Sequence, residues 1–283
     1  MIDINFTGRI DDMPIGDYHA LPHLSSSGVP YILTSPAHYK QKVWTDSKAK
    51  RIGGAVHLLL LEPEKVAKFM PKMPELDRGP GGGITKKGRE EKAAWMASLS
   101  KDVLLLDDEE RGVAEKCAAA IREHPYTQNL AFLCPQRSER EVSLFFTVET
   151  EEGPCHMRAR PDSIVPGLAC MFDLKTTMDA EPNALRRHAE NYGWHRQAAL
   201  YTRAAAACGV ELRDERMVFV AVEKSEPFGV RFVAYDDDAL EQGDRDVMRA
   251  ATIWARCHRT GEWPSYPNRI DTLHLSPWMI DSE

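Results

Sequence analysis

The spacing of apolar residues along this chain changes period after Pro135. Upstream the pattern is helical. The first 34 residues read as loop, with "SSSGVP" at their centre. "SPAHYKQKVW" then carries a helix start, with Ser35 as cap and Pro36 at the first position, where no N–H is needed. "DSKAKRIGGAVHLLLLEPEKVAKF" predicts a helix interrupted near Pro63, because proline removes a donor and clashes with the preceding turn. "RGPGGGITKKGREEK" predicts a glycine-rich basic loop entering a helix at a Thr85 cap. "DDEERGVAEKCAAAIREH" predicts a helix that is acidic at its start and basic near its end, as the helix dipole favours.

Downstream the period is that of strands. "EVSLFFTVET", "CHMRARPDSIV" and "LACMFDLKTT" are three predicted strands, the first two joined by the turn "EEGP". Helices return over about residues 181–207, followed by strands "RMVFVAVEKS" and "GVRFVAYD" and a long helix over about 237–260. A tail containing proline and tryptophan closes the chain, and no internal repeat or low-complexity segment is seen. Strands with helices on both sides predict one α/β domain with a mixed central β-sheet flanked by helices. Its parts are a mainly helical stretch over 1–134, the sheet over 135–235, and a C-terminal helix and tail over 236–283.

Composition narrows the class. Six cysteines (117, 134, 155, 170, 208 and 257) lie scattered without a C-x-x-C pair, which argues against a disulfide framework or a zinc site and suits a reducing cytoplasm. No signal-peptide pattern opens the chain, and the longest apolar run, "AVHLLLL", is too short to span a membrane. A cytoplasmic protein with no membrane association is expected. The net charge of −7 argues against an overall basic coat, but nucleic acid needs only a local positive track.

One stretch, "RPDSIVPGLACMFDLKTT" at residues 160–177, departs from ordinary packing. An apolar run from Leu168 to Phe172 leads straight into Asp173 and Lys175, with Asp162 a short way upstream. Buried carboxylates are costly unless something compensates them. Alternate strand side chains share a face, so Asp173 and Lys175 point one way and Leu174 the other. The carboxylate can hold a hard divalent cation. The lysine can position or deprotonate a water, or stabilise charge building on a phosphate. Asp162 adds a second carboxylate where the two strands pair as a hairpin. The same letters also fit a salt bridge at the point where a strand emerges into solvent, since D-x-K is a common tripeptide.

Three further positions bear on that choice. Gln197 and Tyr201, at i and i+4 in "YGWHRQAALYTRAA", share a helix face. His57 sits inside the apolar "GGAVHLLLLEP", where an imidazole must be bonded or ligated; a lone histidine there is more often a satisfied core residue. Glu141 begins the first strand, where it can approach a metal or stand as solvated surface.

In order, a histidine on a helix after small residues, a glutamate, "RPD", "DLKTT" and "Y-x-x-x-x-Q-x-x-x-Y" resemble the PD-(D/E)xK nuclease superfamily, and within it the exonuclease VIII (RecE) type of phages and prophages. "YHALPHLSSSGVPYILTSPAHY", "GGAVHLLLLEPEKV" and the closing "LSPWMI" are similar to further segments of that type, so the likeness spans most of the chain. The resemblance implies a restriction-endonuclease-like core with helical N-terminal additions. It implies that His57, Asp162 and Asp173 ligate magnesium (manganese as substitute), with Leu174 lending its backbone carbonyl. Lys175 would be the catalytic lysine, Gln197 and Tyr201 its supporting motif, and Glu141 an acidic position of the same site. Related iron–sulfur nucleases keep three late cysteines; here only Cys208 and Cys257 are late, so no iron–sulfur cluster is expected.

The resemblance further implies 5′-to-3′ digestion of linear duplex ends, exposing 3′ strands for recombination. It also implies a single-strand annealing partner of the RecT type and a homo-oligomer in the form of a ring tetramer. For DNA contact the candidates are Lys86, Lys87 and Arg89 of "TKKGR" and the strand residues Arg158 and Arg160, against their reading as solvated charge. Two other functions fit the same letters. One is a structure-specific or restriction-like endonuclease, the other a non-catalytic DNA-binding subunit with a nuclease-like fold.

Overall fold

The computed structural model describes residues 3–43, 46–100, 102–213 and 217–274. The "LSPWMI" segment, residues 275–280, lies outside the described residues. The strands are β1 (Gly8–Ile10), β2 (Leu24–Ser25), β3 (Glu139–Arg140), β4 (Ser143–Thr150), β5 (Gly153–Ala159), β6 (Ser163–Val165), β7 (Cys170–Thr177), β8 (Met217–Glu223) and β9 (Val230–Val233). The mixed α/β architecture expected is found, with the strands divided between two mixed sheets, in the orders β1-β4-β5-β2 and β3-β6-β7-β8-β9.

The reason lies in the predicted strand "CHMRARPDSIV". It is two strands, β5 and β6, one in each sheet. Pro161 stands between them and has no N–H with which to continue a ladder, so pairing stops and the chain crosses over. A second crossing occurs at Glu141, between β3 and β4, where the backbone takes a left-handed φ of 52°. Side chains other than glycine seldom adopt that region, and such strain concentrates at functional sites.

The stretch read as loop also holds structure: β1, helix Ile15–Ala20, β2 and helix Val29–Thr34. Strands of two or three residues carry no readable alternation. β1 and β2 exist because they pair with β4 and β5, far along the chain.

Among the helices, Lys48–Leu61 carries His57, with Ser47 accepting from the Lys50 N–H as its cap. Asp107 and Glu110 form a reciprocal capping box on helix Asp108–Glu123. Gly193, left-handed at φ 67°, separates helix Pro182–Tyr192 from helix Trp194–Ala207 and so aims Gln197 and Tyr201.

The five-stranded sheet divides two apolar cores. Met171, Met217, Phe219 and Ala221 join residues of helices Trp194–Ala207 and Asp237–Thr260 on one side. Phe172, Leu174, Val218 and Val220 join helices Lys48–Leu61 and Asp108–Glu123 on the other. A parallel central pair covered on both faces explains why β7 and β8 read as nearly continuous apolar runs. Among the described residues no helix is long and apolar enough to cross a membrane.

Candidate active site

β6 pairs with β7 only over Ser163–Val165 against Cys170–Phe172. Beyond Phe172 the β6-side edge of β7 therefore needs other partners for its backbone groups. Two of the sequence candidates supply them. The Leu174 N–H donates to Asp162 Oδ2 at 2.6 Å, and His57 Nε2 donates to the Leu174 carbonyl at 3.1 Å. That bond fixes the ring, and a neutral imidazole then turns its bare Nδ1 toward Asp162 Oδ2, 3.4 Å away. The two sheet crossings meet here as well, since the Glu141 N–H donates to the Asp162 carbonyl. As a result His57, Glu141 and Asp162 each bring one ligand atom to within 4.8 Å of the others.

Asp173 and Lys175 share a face of β7, as the alternation requires, and form an ion pair. Gln197 Nε2 donates to Asp173 Oδ1 at 2.5 Å, and Tyr201 donates to the Arg160 carbonyl at 3.2 Å. The supporting pair thus divides its work: Gln197 holds the carboxylate, and Tyr201 holds the chain at the crossing before Asp162. Lys175 Nζ also stands 5.9 Å from the Trp194 ring centre and 5.6 Å from that of Phe219, which limits where the ammonium can swing.

The electrostatics of the group are those of crowded, buried carboxylates. Burial, and then the neighbouring Asp173, push the Asp162 carboxyl well above the usual range, although Lys175, the Leu174 N–H and Arg160 favour its charged form. Burial, and then Asp162, push Glu141 up to about 7, against the pull of Arg160 and His57. Asp173, only 2% exposed, has one oxygen with no aligned hydrogen bond although the Lys175 ammonium stands against it. A bound cation would relieve this crowding. An oxygen-rich set of donors with one imidazole suits magnesium or manganese. The residues present fit that group. Asp173 stands beside the converging three rather than among them, while Glu141 belongs with His57 and Asp162.

The DNA-contact candidates fare unequally. Arg158 is 7% exposed, and its guanidinium donates to the carbonyls of Tyr18 and Leu21, so it is an internal tether, not a surface contact. Arg160 is also turned inward: it pairs with Glu141 at 2.8 Å and donates to the Met13 carbonyl. Both corrections have one cause, because the N-terminal segment read as loop folds over these arginines. Lys86 and Lys87 are open, their side chains 88% and 74% exposed at the start of helix Lys86–Ser98, and Arg89 follows one turn on. Among the described residues no hydrogen bond or ion pair joins these three to the carboxylate group. The role of Arg160 as the partner of Glu141 was missed from sequence, and only an arginine placed beside "PD" hinted at it.

Residues 25–276 match the family described as PDDEXK-like domain of unknown function (DUF3799). The chain belongs to this family. A PDDEXK-like domain carries the nuclease-type fold, and the two mixed sheets flanked by helices agree with it. A protein from Eubacterium rectale provisionally described as an exonuclease superposes with a TM-score of 0.55 at 14% identity, covering 94% of this chain and 96% of that one. That likeness speaks to the fold. A phage-related exonuclease from Haemophilus somnus 129PT superposes with a TM-score of 0.32 at 13% identity, over 70% of this chain and 93% of its own, too loosely to carry an argument. No curated protein matches this PDDEXK-like chain.

Proposed function

We propose that this PDDEXK-like protein is a divalent-metal-dependent deoxyribonuclease, with magnesium as its ion and manganese as a substitute. The observation that carries this reading is the convergence of His57, Glu141 and Asp162 to within 4.8 Å of one another beside the Asp173–Lys175 pair. Asp173, adjoining Asp162, completes the acidic set. A bound cation supplies Lewis acidity for in-line attack of water on a phosphodiester and for the departing oxygen.

The chain's own residues do the rest. As an ammonium, Lys175 donates to a non-bridging phosphate oxygen and offsets charge that builds in the transition state. Gln197 fixes Asp173, and therefore the position of Lys175. Arg160 holds the Glu141 carboxylate in place from a partly buried position. His57 keeps its Nδ1 directed at the site through the bond from Nε2 to the Leu174 carbonyl.

The resemblance to the exonuclease VIII type supports a finer reading: 5′-to-3′ exonuclease action on linear duplex ends, an annealing-protein partner, and a ring tetramer that keeps hold of one strand. Lys86, Lys87 and Arg89 remain its candidate DNA contacts. A substrate panel tests the class of reaction. Linear duplex should be digested in magnesium while a covalently closed or nicked circle persists. Digestion of the circles at the rate of linear DNA would make the enzyme an endonuclease, and no digestion of any substrate would leave a DNA-binding subunit. Light scattering at micromolar protein tests the ring.

A further inference from the structure

Beside the C-terminal end of helix Lys48–Leu61 the surface opens into a cleft of about 440 Å³, within the range of small-ligand sites. Arg122, Arg137 and Arg140 line it, and among the described residues no carboxylate does. Glu62, at its margin in sequence, is already paired with Lys65. The remaining wall is largely apolar and includes Leu59, Leu60 and Leu133. A pocket with several guanidiniums, no carboxylate in its lining and an apolar wall has the chemistry of a site for a phosphate carrying a flat or greasy substituent.

Its position is as informative as its charge. Arg140 directly precedes Glu141, and Leu59 and Leu60 follow His57 on the same helix, about 3–5 Å further along the axis. The cleft thus shares with the candidate metal group the strand and the helix that build it. Arg122 donates to the Leu59 carbonyl, and Arg140 donates to those of Leu61 and Leu133. The bonds to Leu59 and Leu61 satisfy acceptors at the C-terminal end of helix Lys48–Leu61. They leave the guanidiniums charged, with Glu64 offsetting Arg140 only in part, and Arg140 Nε is buried with no hydrogen-bond partner.

Arg122 and Arg140, taken alone, would be explained as fastenings of the helix end. Arg137 is not so explained. It is exposed, and among the described residues no hydrogen bond or ion pair of its side chain is found.

We propose that this cleft is a second nucleic-acid subsite. It takes a further backbone phosphate of the strand held at His57, Glu141 and Asp162, with the attached nucleoside against Leu59, Leu60 and Leu133. This rests on the nuclease reading above and adds to it the surface that fixes the strand's path. Arg137 makes the open contact, and Arg122 and Arg140 supply the field.

The test is equilibrium binding of a fluorescein-labelled single-stranded phosphorothioate oligonucleotide, which resists cleavage, to the full-length protein in magnesium across a salt series. Arg137→Glu should weaken binding by at least about ten-fold, and Arg137→Ala should lower the slope of log K against log salt by about one. Neither should alter the melting temperature, since the side chain supports nothing in the fold. Wild-type affinity and slope in both variants would overturn the subsite, as would failure of the wild-type protein to bind the probe. Parallel digestion of unmodified linear duplex by the wild type separates the two claims. Cleavage with an Arg137-independent affinity sinks the cleft and spares the nuclease, whereas Arg137-dependent binding without cleavage does the reverse.

Discussion

Glu141→Gln should stabilise the metal-free protein at alkaline pH, and the size of the gain can be worked from the site. Burial, then Asp162, push the Glu141 carboxyl from an ordinary 4.5 up to about 7. Carrying it charged in the metal-free fold therefore costs about 3 kcal/mol above pH 7. The sign follows from proton uptake. The folded chain holds this proton more tightly than the unfolded one, so the contribution is fully present below about pH 4.5 and is lost as pH rises through about 7. Glutamine keeps the shape without the charge. For a domain of this size each kcal/mol moves the melting temperature by about 2 °C, which gives a rise of about 6 °C at pH 8 in EDTA. At pH 4 the advantage should vanish.

Magnesium should narrow the difference. Free metal at about 100 times its dissociation constant stabilises the wild type by about 2.7 kcal/mol, and the variant, short of one carboxylate, by less. Circular dichroism melts at two pH values, with EDTA and with magnesium, give all four numbers. A variant that melts no higher than wild type at pH 8 in EDTA, and gains as much from magnesium, would refute the argument that Glu141 belongs to a cation site.

Other positions give independent checks. Lys175→Ala should lower turnover by at least about 100-fold while metal affinity by calorimetry stays near wild type, because an ammonium serves the phosphate and not the cation; lost metal binding with turnover preserved would contradict that division. His57→Ala should weaken metal binding by about ten-fold or more, seen as a smaller metal-induced rise in melting temperature. A rise as large as in wild type would make His57 a core histidine. His23 is buried, and burial, then Arg158 and His156, lower its pKa to about 4. The unfolded chain takes that proton first, so stability should fall by about 3 kcal/mol as pH drops from about 6.5 to about 4. Urea denaturation across that window should show the fall in wild type and a flatter profile in His23→Leu.

Much of the site was legible because its parts are local. The D-x-K alternation on β7, the i, i+4 pair Gln197 and Tyr201, and an imidazole within an apolar helix each follow from one element's period. What was not legible arises between elements. Glu141 joins His57 and Asp162 because two strands leave their sheets at the same point, and neither Pro161 nor the left-handed backbone of Glu141 announces where the other crossing will be. Arg158 and Arg160 read as outward strand charges until the N-terminal segment folds over them, held by strands too short to show a period. The cleft of Arg122, Arg137 and Arg140 gathers residues from a helix, a turn and a strand, so no window of sequence displays its charge.

The central claim is that these carboxylates serve a metal that cuts DNA. Release of acid-soluble nucleotides from uniformly labelled linear duplex tests it directly, with wild type and Asp162→Asn each assayed in magnesium and in EDTA after melting curves have confirmed both folds. Wild type in magnesium should release nucleotides, and the other three conditions should release none. Release in EDTA, or by Asp162→Asn at the wild-type rate, would contradict the account.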